Sequence, residues 1–304
     1  MTRSTVATPQ ASLVVPPADI AAHWALPLTE PFEQIPAATN IVLRAGAYVV
    51  RAERRPLESV RWEHDLLEFL AAEVPEIVAP IRARDGTTFL LAPDGLVVSV
   101  VPFVDGIHMK RRGARVRSQL PPLLGRIHTR AKRWPVARQR PAQPAFSELD
   151  WERNLWWDWA LLEPSPVLVR TLARTRDWVA DAPPLERCAI HGDFHPGNVL
   201  AVQGRPVAVL DWSFARLDWP AFDLACVVGL LALRRDGSID REVAERTLAA
   251  YANAGGPGEP TVLVPLLRLF FLAVALFSLT RRARGQSWNP QIVAMMERGL
   301  ERLG

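Results

Sequence analysis

The chain has 304 residues, 49% of them hydrophobic and 22% charged, a composition that suits one or two buried cores and excludes a disordered or fibrous chain. Its formal charge of +4 comes from scattered arginines, with Lys110 and Lys132 as the only lysines. This reads as an arginine-biased solvated surface, and no nucleic-acid partner is expected.

Residues 1–17 are rich in Thr, Pro, Ala and Ser and read as a loose tail without the basic and apolar pattern of a leader. Residues 18–104 read as a small β-rich lobe. Ile41 to Leu43 and Ala47 to Val50 flank Ala45-Gly46 as a hairpin, Leu57 to Ala72 has helical periodicity, and strands are expected at Ile81, Phe89 to Leu91 and Leu96 to Val101. Turns at Asp85-Gly86 and Asp94-Gly95 separate them. Pro102 to Gly106 is a crossover into residues 105–304, where helices are expected over Ser118 to Lys132, Leu149 to Leu162, Pro166 to Ala180, Trp219 to Leu233, Asp240 to Ala254 and Val262 to Arg282. Arg133 to Pro144 is a Pro- and Arg-rich connection between two of them. Val262 to Leu279 is apolar, but Pro265, Arg268 and Ser278 interrupt it, so a buried helix is expected and no membrane partner. Cys188 lies in a strand-like run and Cys226 in an apolar helix-like run, and both read as buried thiols of a reducing, cytoplasmic compartment. The fold class is α+β.

The chemistry concentrates in Ile190-His191-Gly192-Asp193-Phe194-His195-Pro196-Gly197-Asn198-Val199-Leu200, followed by Val207-Ala208-Val209-Leu210-Asp211-Trp212. Gln203-Gly204 turns one strand into the next, so Asn198 enters a hairpin and Asp211 leaves it, side by side. Such an oxygen pair suits Mg²⁺, a hard cation that keeps several waters and also binds substrate phosphates. Asp193, just before the hairpin, is placed to orient a hydroxyl and accept its proton as a phosphoryl group is transferred. His191 and Gly192 read as scaffold for this loop.

This segment resembles the catalytic signature of the aminoglycoside phosphotransferase and choline kinase family, relatives of the protein kinases, and the resemblance runs from about Thr39 onward. It implies a two-lobed kinase-like fold, with ATP and Mg²⁺ as cofactors and a small-molecule hydroxyl as acceptor. It also implies that Asp193 is the catalytic base, that Asn198 and Asp211 hold the metal, and that Asp223, in Phe222-Asp223-Leu224-Ala225, steadies the catalytic loop. In the first lobe Glu63 shares a helix face with Leu66, Leu67 and Leu70, and Arg51 ends a strand, so the two are expected to pair beside the nucleotide phosphates. Two departures stand out: Pro36-Ala37-Ala38-Thr39-Asn40 lacks glycine, and Asp211 precedes Trp212-Ser213.

On the expected helix from Leu149, Trp151, Leu155, Trp159 and Leu162 form a core stripe, which leaves Trp156 and Trp157, beside Asp158, as a wall for an amine-bearing acceptor. His128 reads as structural. The alternative readings are a homoserine-kinase-like or protein-serine kinase activity, from the Ile81 to Gly106 pattern, and a nucleotide-binding pseudoenzyme that regulates a partner.

Overall fold

The computed structural model describes residues 15–28, 32–35, 41–111, 113, 117–135, 138–154, 156–257 and 260–304. The expected phosphate-covering stretch, Pro36 to Asn40, lies outside them. Contacts divide the chain into two compact units, Met1–Ala71 with Val78–Asp105, and Ala72–Ile77 with Gly106–Gly304.

The first unit includes α1 (Pro17–Trp24), a helix that starts at the last residue of the expected tail. A five-stranded antiparallel sheet follows in the order β1-β2-β3-β5-β4, from β1 (Glu33–Gln34), β2 (Ile41–Ala45), β3 (Tyr48–Glu53), β4 (Leu90–Leu91) and β5 (Val97–Pro102). Side chains alternate across a strand, so Val50 and Ala52 of β3 join Val98 and Val100 of β5 in a core with Ile20 and Trp24 of α1. The same alternation sets Arg51 and Glu53 on the opposite face. There α2 (Leu57–Ala71) buries Trp62, Glu63, Leu66 and Leu70. Ile81 is in no strand; its N–H is taken by Val100 O at 2.8 Å, and its own carbonyl accepts from Trp24 Nε1.

The second unit is mainly helical: α3 (Leu120–Ala131), α4 (Pro166–Ala180), α5 (Pro220–Ala232), α6 (Arg241–Asn253), α7 (Leu263–Ala283) and α8 (Pro290–Leu303). Ser165, Asp240 and Asn289 cap α4, α6 and α8 by accepting main-chain N–H bonds in the first turn, and Pro166 and Pro290 take first helical positions, where no intrahelical N–H is lost. Helix α8 carries apolar residues at Val293, Met296 and Leu300, a short stripe that sequence reading missed. By length and composition α7 is able to cross a membrane, but it packs against α8, α5 and α4 and buries Leu266, Phe270, Phe271 and Leu272. It is a core helix of this unit.

Two small sheets carry the loops of interest. The first has the order β6-β8-β9, from β6 (Ile107–His108), β8 (Val199–Val202) and β9 (Arg205–Val209). The second pairs β7 (Cys188–Ile190) with β10 (Arg216–Asp218), with Arg216 opposite Ile190. Sequence reading found the hairpin and a strand-like run at Cys188 but neither β6 nor β10, because two or three residues are too few to show a period.

The helix expected over Leu149 to Leu162 does not form. Asp150 Oδ1 accepts from the N–H groups of Glu152 and Arg153, and Asn154 Oδ1 from those of Trp156 and Trp157. Two short polar side chains thus take main-chain donors that a helix would use, giving consecutive turns and only a short 3-10 turn at Trp159–Leu161.

Candidate active site

Strand β7 delivers the chain into His191-Gly192-Asp193, and α5 fixes it there. Asp223, fully buried in the first turn of α5, accepts from the N–H groups of His191 (2.8 Å, Oδ2) and Gly192 (2.9 Å, Oδ1). His128 of α3 stands 3.3 Å from Asp223 Oδ2 through Nε2 and 2.8 Å from the Tyr251 hydroxyl through Nδ1. Burial alone would raise the Asp223 pKa, but His128 and His191, the latter also through its main-chain N–H, outweigh it and hold the carboxyl below its ordinary value. His191 completes the anchor, its Nε2–H donating to Leu210 O (3.0 Å) and its Nδ1 accepting from Asp193 N (3.2 Å).

Gly192 lies at φ +79, and an added Cβ would stand 2.3 Å from Phe214 O and 2.7 Å from an Arg216 guanidinium nitrogen. Only glycine suits both the left-handed backbone and the close approach. Asp193 follows with its side chain 42% exposed. Its Oδ2 meets Asn198 Nδ2 at 3.2 Å and His195 Nε2 at 3.4 Å, and among the described residues Oδ1 has no protein donor. His195 Nδ1 accepts from Gly197 N at 2.8 Å, so Nε2 is the protonated nitrogen facing Asp193. Burial works against a charge on this imidazole, but the Asp193 carboxylate prevails and its pKa lies above the ordinary histidine value. Sequence reading leaves His195 ambiguous, though its place two residues beyond Asp193 was the available signal.

The hairpin register pairs Val199 with Val209, and Leu210 N donates to Asn198 O at 2.7 Å. Asn198 therefore faces Leu210, one residue short of the partner expected from the sequence. Asp211 follows at φ 60, and Ser213 Oγ donates to its Oδ1 at 2.5 Å. Among the described residues no three His, Cys, Asp or Glu side chains cluster as a metal cage. The donor set still fits Mg²⁺: Asn198 commits Nδ2 to Asp193, which leaves Oδ1 as an oxygen ligand, and Asp211 adds an exposed carboxylate.

In the first unit Arg51 does stand near Glu63, but at 3.9 Å; the tighter partner is Arg55, 2.6 Å from Glu63 and 2.6 Å from Glu53. Arg51 also stands 3.8 Å from Glu53. Sequence reading missed Arg55 and Glu53 because a turn arginine shows no period. Burial opposes the Arg55 charge, but the two carboxylates outweigh it and raise its pKa.

The expected aromatic wall is not a wall. Trp157 is fully buried, with Nε1 donating to Trp151 O, and Trp156 stacks against Phe146 and Phe214. Asp158 is mostly covered and stands 3.6 Å from Arg153. With no helix present, Trp151, Trp159 and Leu162 form no helical stripe. Trp156 instead borders a cavity of about 390 Å³ together with Glu148, Asp150, Arg153 and Asn154.

Comparison with known proteins identifies the family and the fold. The profile of the family described as "Phosphotransferase enzyme family" matches residues 34–263. A homoserine kinase of Methylobacterium sp. (strain 4-46) is 31% identical over 255 residues, covering 80% of this chain and 76% of that protein. A homoserine kinase of Pseudomonas aeruginosa PAO1 is 27% identical, covering 70% and 67%. Among solved structures, an amicoumacin kinase in complex with AMP-PNP, Ca²⁺ and Ami superposes with a TM-score of 0.71 at 15% identity, covering 94% of this chain and 91% of that one. A microcompartment-associated aminopropanol kinase gives 0.68 at 18%, covering 94% of each.

Proposed function

The chain belongs to the phosphotransferase enzyme family, and from that premise we propose that it is an ATP- and Mg²⁺-dependent kinase of a small amino alcohol, with homoserine as the acceptor to test first. One observation carries the reading: Asp193 is tied to Asn198 at the open end of the β8–β9 hairpin, where Asp211 leaves the neighbouring strand.

Phosphoryl transfer asks a protein mainly for positioning and charge stabilisation. Asn198 and His195 occupy Asp193 Oδ2. Oδ1 is thereby turned to the acceptor hydroxyl, orienting it in line with the γ-phosphorus. As the new O–P bond forms and the bond to the β-phosphate oxygen breaks, Asp193 takes the hydroxyl proton and ADP leaves. Asn198 Oδ1 and the Asp211 carboxylate would hold Mg²⁺, which when bound supplies neutralising charge to the triphosphate. A nucleotide and a divalent cation are supported by the AMP-PNP and Ca²⁺ of the amicoumacin kinase complex. Arg51 is assigned to the nucleotide phosphates, with Glu63, Glu53 and Arg55 fixing its direction.

Homoserine leads the acceptors because the more similar relatives bear that name. Initial rates of ADP formation with L-homoserine, 1-amino-2-propanol, choline and an aminoglycoside test the reading. Homoserine is expected to give the highest kcat/KM; a preference for the aminoglycoside would redirect the substrate assignment, and absence of Mg²⁺-dependent turnover with all four would contradict it.

A further inference from the structure

Asp211 keeps a left-handed backbone, φ 60, which a non-glycine residue holds where its surroundings over-determine the turn. β9 ends at Val209 and β10 begins at Arg216, so residues 212–215 have no strand ladder to hold them. Their carbonyls meet side chains from the Pro- and Arg-rich connection instead. Arg140 is 1% exposed, and one of its terminal guanidinium nitrogens donates to Trp212 O at 2.8 Å and to Ala215 O at 3.0 Å. Gln143 Nε2 donates to Ser213 O at 2.9 Å. Gln139 brackets Leu217, donating to its carbonyl and accepting from its N–H, each at 2.9 Å. Ser213 then returns its hydroxyl to Asp211.

A guanidinium buried against main-chain carbonyls is a costly way to fill space, since a well-packed apolar side chain of similar volume often serves stability as well. What it offers is direction: a planar, permanently charged donor with hydrogens at fixed angles sets the spacing of the carbonyls it holds. Here those carbonyls belong to the two ends of the four-residue turn that follows Asp211. We infer that Arg140 and Gln143 are positioning residues for the Asp211 carboxylate, acting through the Trp212–Ala215 turn rather than touching metal or substrate. The inference rests on the reading of Asp211 as a metal ligand.

The test is a titration of the full chain with Mn²⁺ at fixed ATP, with free Mn²⁺ read from its electron paramagnetic resonance signal. Wild type, Asp211→Ala, Arg140→Lys, Arg140→Met and Gln143→Leu are compared, and ATP affinity without metal is measured in parallel. Groups that orient a metal's ligands typically change its affinity about 10–100-fold. Gln143→Leu and each Arg140 variant that folds are expected to weaken Mn²⁺ binding about 10-fold, with ATP binding in the absence of metal unchanged. Gln143→Leu guards against an Arg140 variant that fails to fold. Wild-type Mn²⁺ affinity in Gln143→Leu and in a folded Arg140 variant, with affinity lost in Asp211→Ala, would overturn the inference and leave the metal assignment standing. Equal Mn²⁺ binding by wild type and Asp211→Ala would overturn both.

Discussion

Asn198 turns its side-chain amide onto Asp193, with Nδ2 3.0 Å from the Asp193 carbonyl oxygen and 3.2 Å from Oδ2. One residue thus ties the carboxylate assigned to the acceptor to the hairpin assigned to the metal. Asn198→Ala is therefore expected to act on both, lowering kcat about 10–100-fold and raising the Mg²⁺ concentration for half-maximal rate. Initial rates across a Mg²⁺ titration check this. A loss of kcat with an unchanged Mg²⁺ requirement would remove Asn198 from the metal site.

The Gly192 position tolerates no side chain. Its φ of +79 and a contact of 2.3 Å between an added Cβ and Phe214 O act together in Gly192→Ala. Left-handed backbone costs about 1–2 kcal/mol in a non-glycine residue, and overpacking about 1–3 kcal/mol more. Urea unfolding should place the variant about 2–5 kcal/mol below wild type, with turnover reduced as well.

The two arginines beside Glu63 should separate by experiment. Arg55 makes the short bonds to the buried Glu53 and Glu63, whereas Arg51 stands at 3.8–3.9 Å. Removing one partner of a buried ion pair costs about 3–5 kcal/mol, so Arg55→Met is expected to lower the thermal midpoint strongly. Arg51→Met should leave stability closer to wild type and weaken ATP binding. The reverse pattern would exchange the roles.

Asp223 gives a pH signature. Its folded pKa is depressed, so its contribution to stability is complete above the ordinary carboxylate value, about 4, and is lost as pH falls through the lower folded value. Asp223→Asn leaves the His191 and Gly192 N–H groups competing for a single amide oxygen. The gap in urea midpoint between wild type and Asp223→Asn should be widest at neutral pH and narrow below about pH 4. A gap independent of pH down to 2 would contradict an ionised Asp223.

Legibility in the sequence followed the range of the interactions. The hairpin that carries Asn198 into it and Asp211 out of it was readable because its strands are joined over few residues, and a two-residue turn at Gln203-Gly204 fixes its register nearly to the residue. Helices α4, α5, α6 and α7 were readable from long apolar periods. The Leu149 to Leu162 segment misled because its tryptophans fit a helical stripe while Asp150 and Asn154 capture the local N–H groups. Arg55, Arg140 and Gln143 were hidden for another reason. Each acts from a turn or connection, and for the latter two the partners lie about 70 residues away in sequence.

The most direct measurement of the central claim is Mg²⁺-dependent ADP formation by Asp193→Asn, with L-homoserine and the other acceptors, beside its affinity for ATP. The amide keeps shape and size but cannot take the acceptor proton. A fall in kcat of about 10²–10⁴-fold with ATP affinity within about twofold of wild type is the expected result. Wild-type turnover by Asp193→Asn would show that the proton leaves by another route, and the assignment of this loop as the seat of phosphoryl transfer would fail.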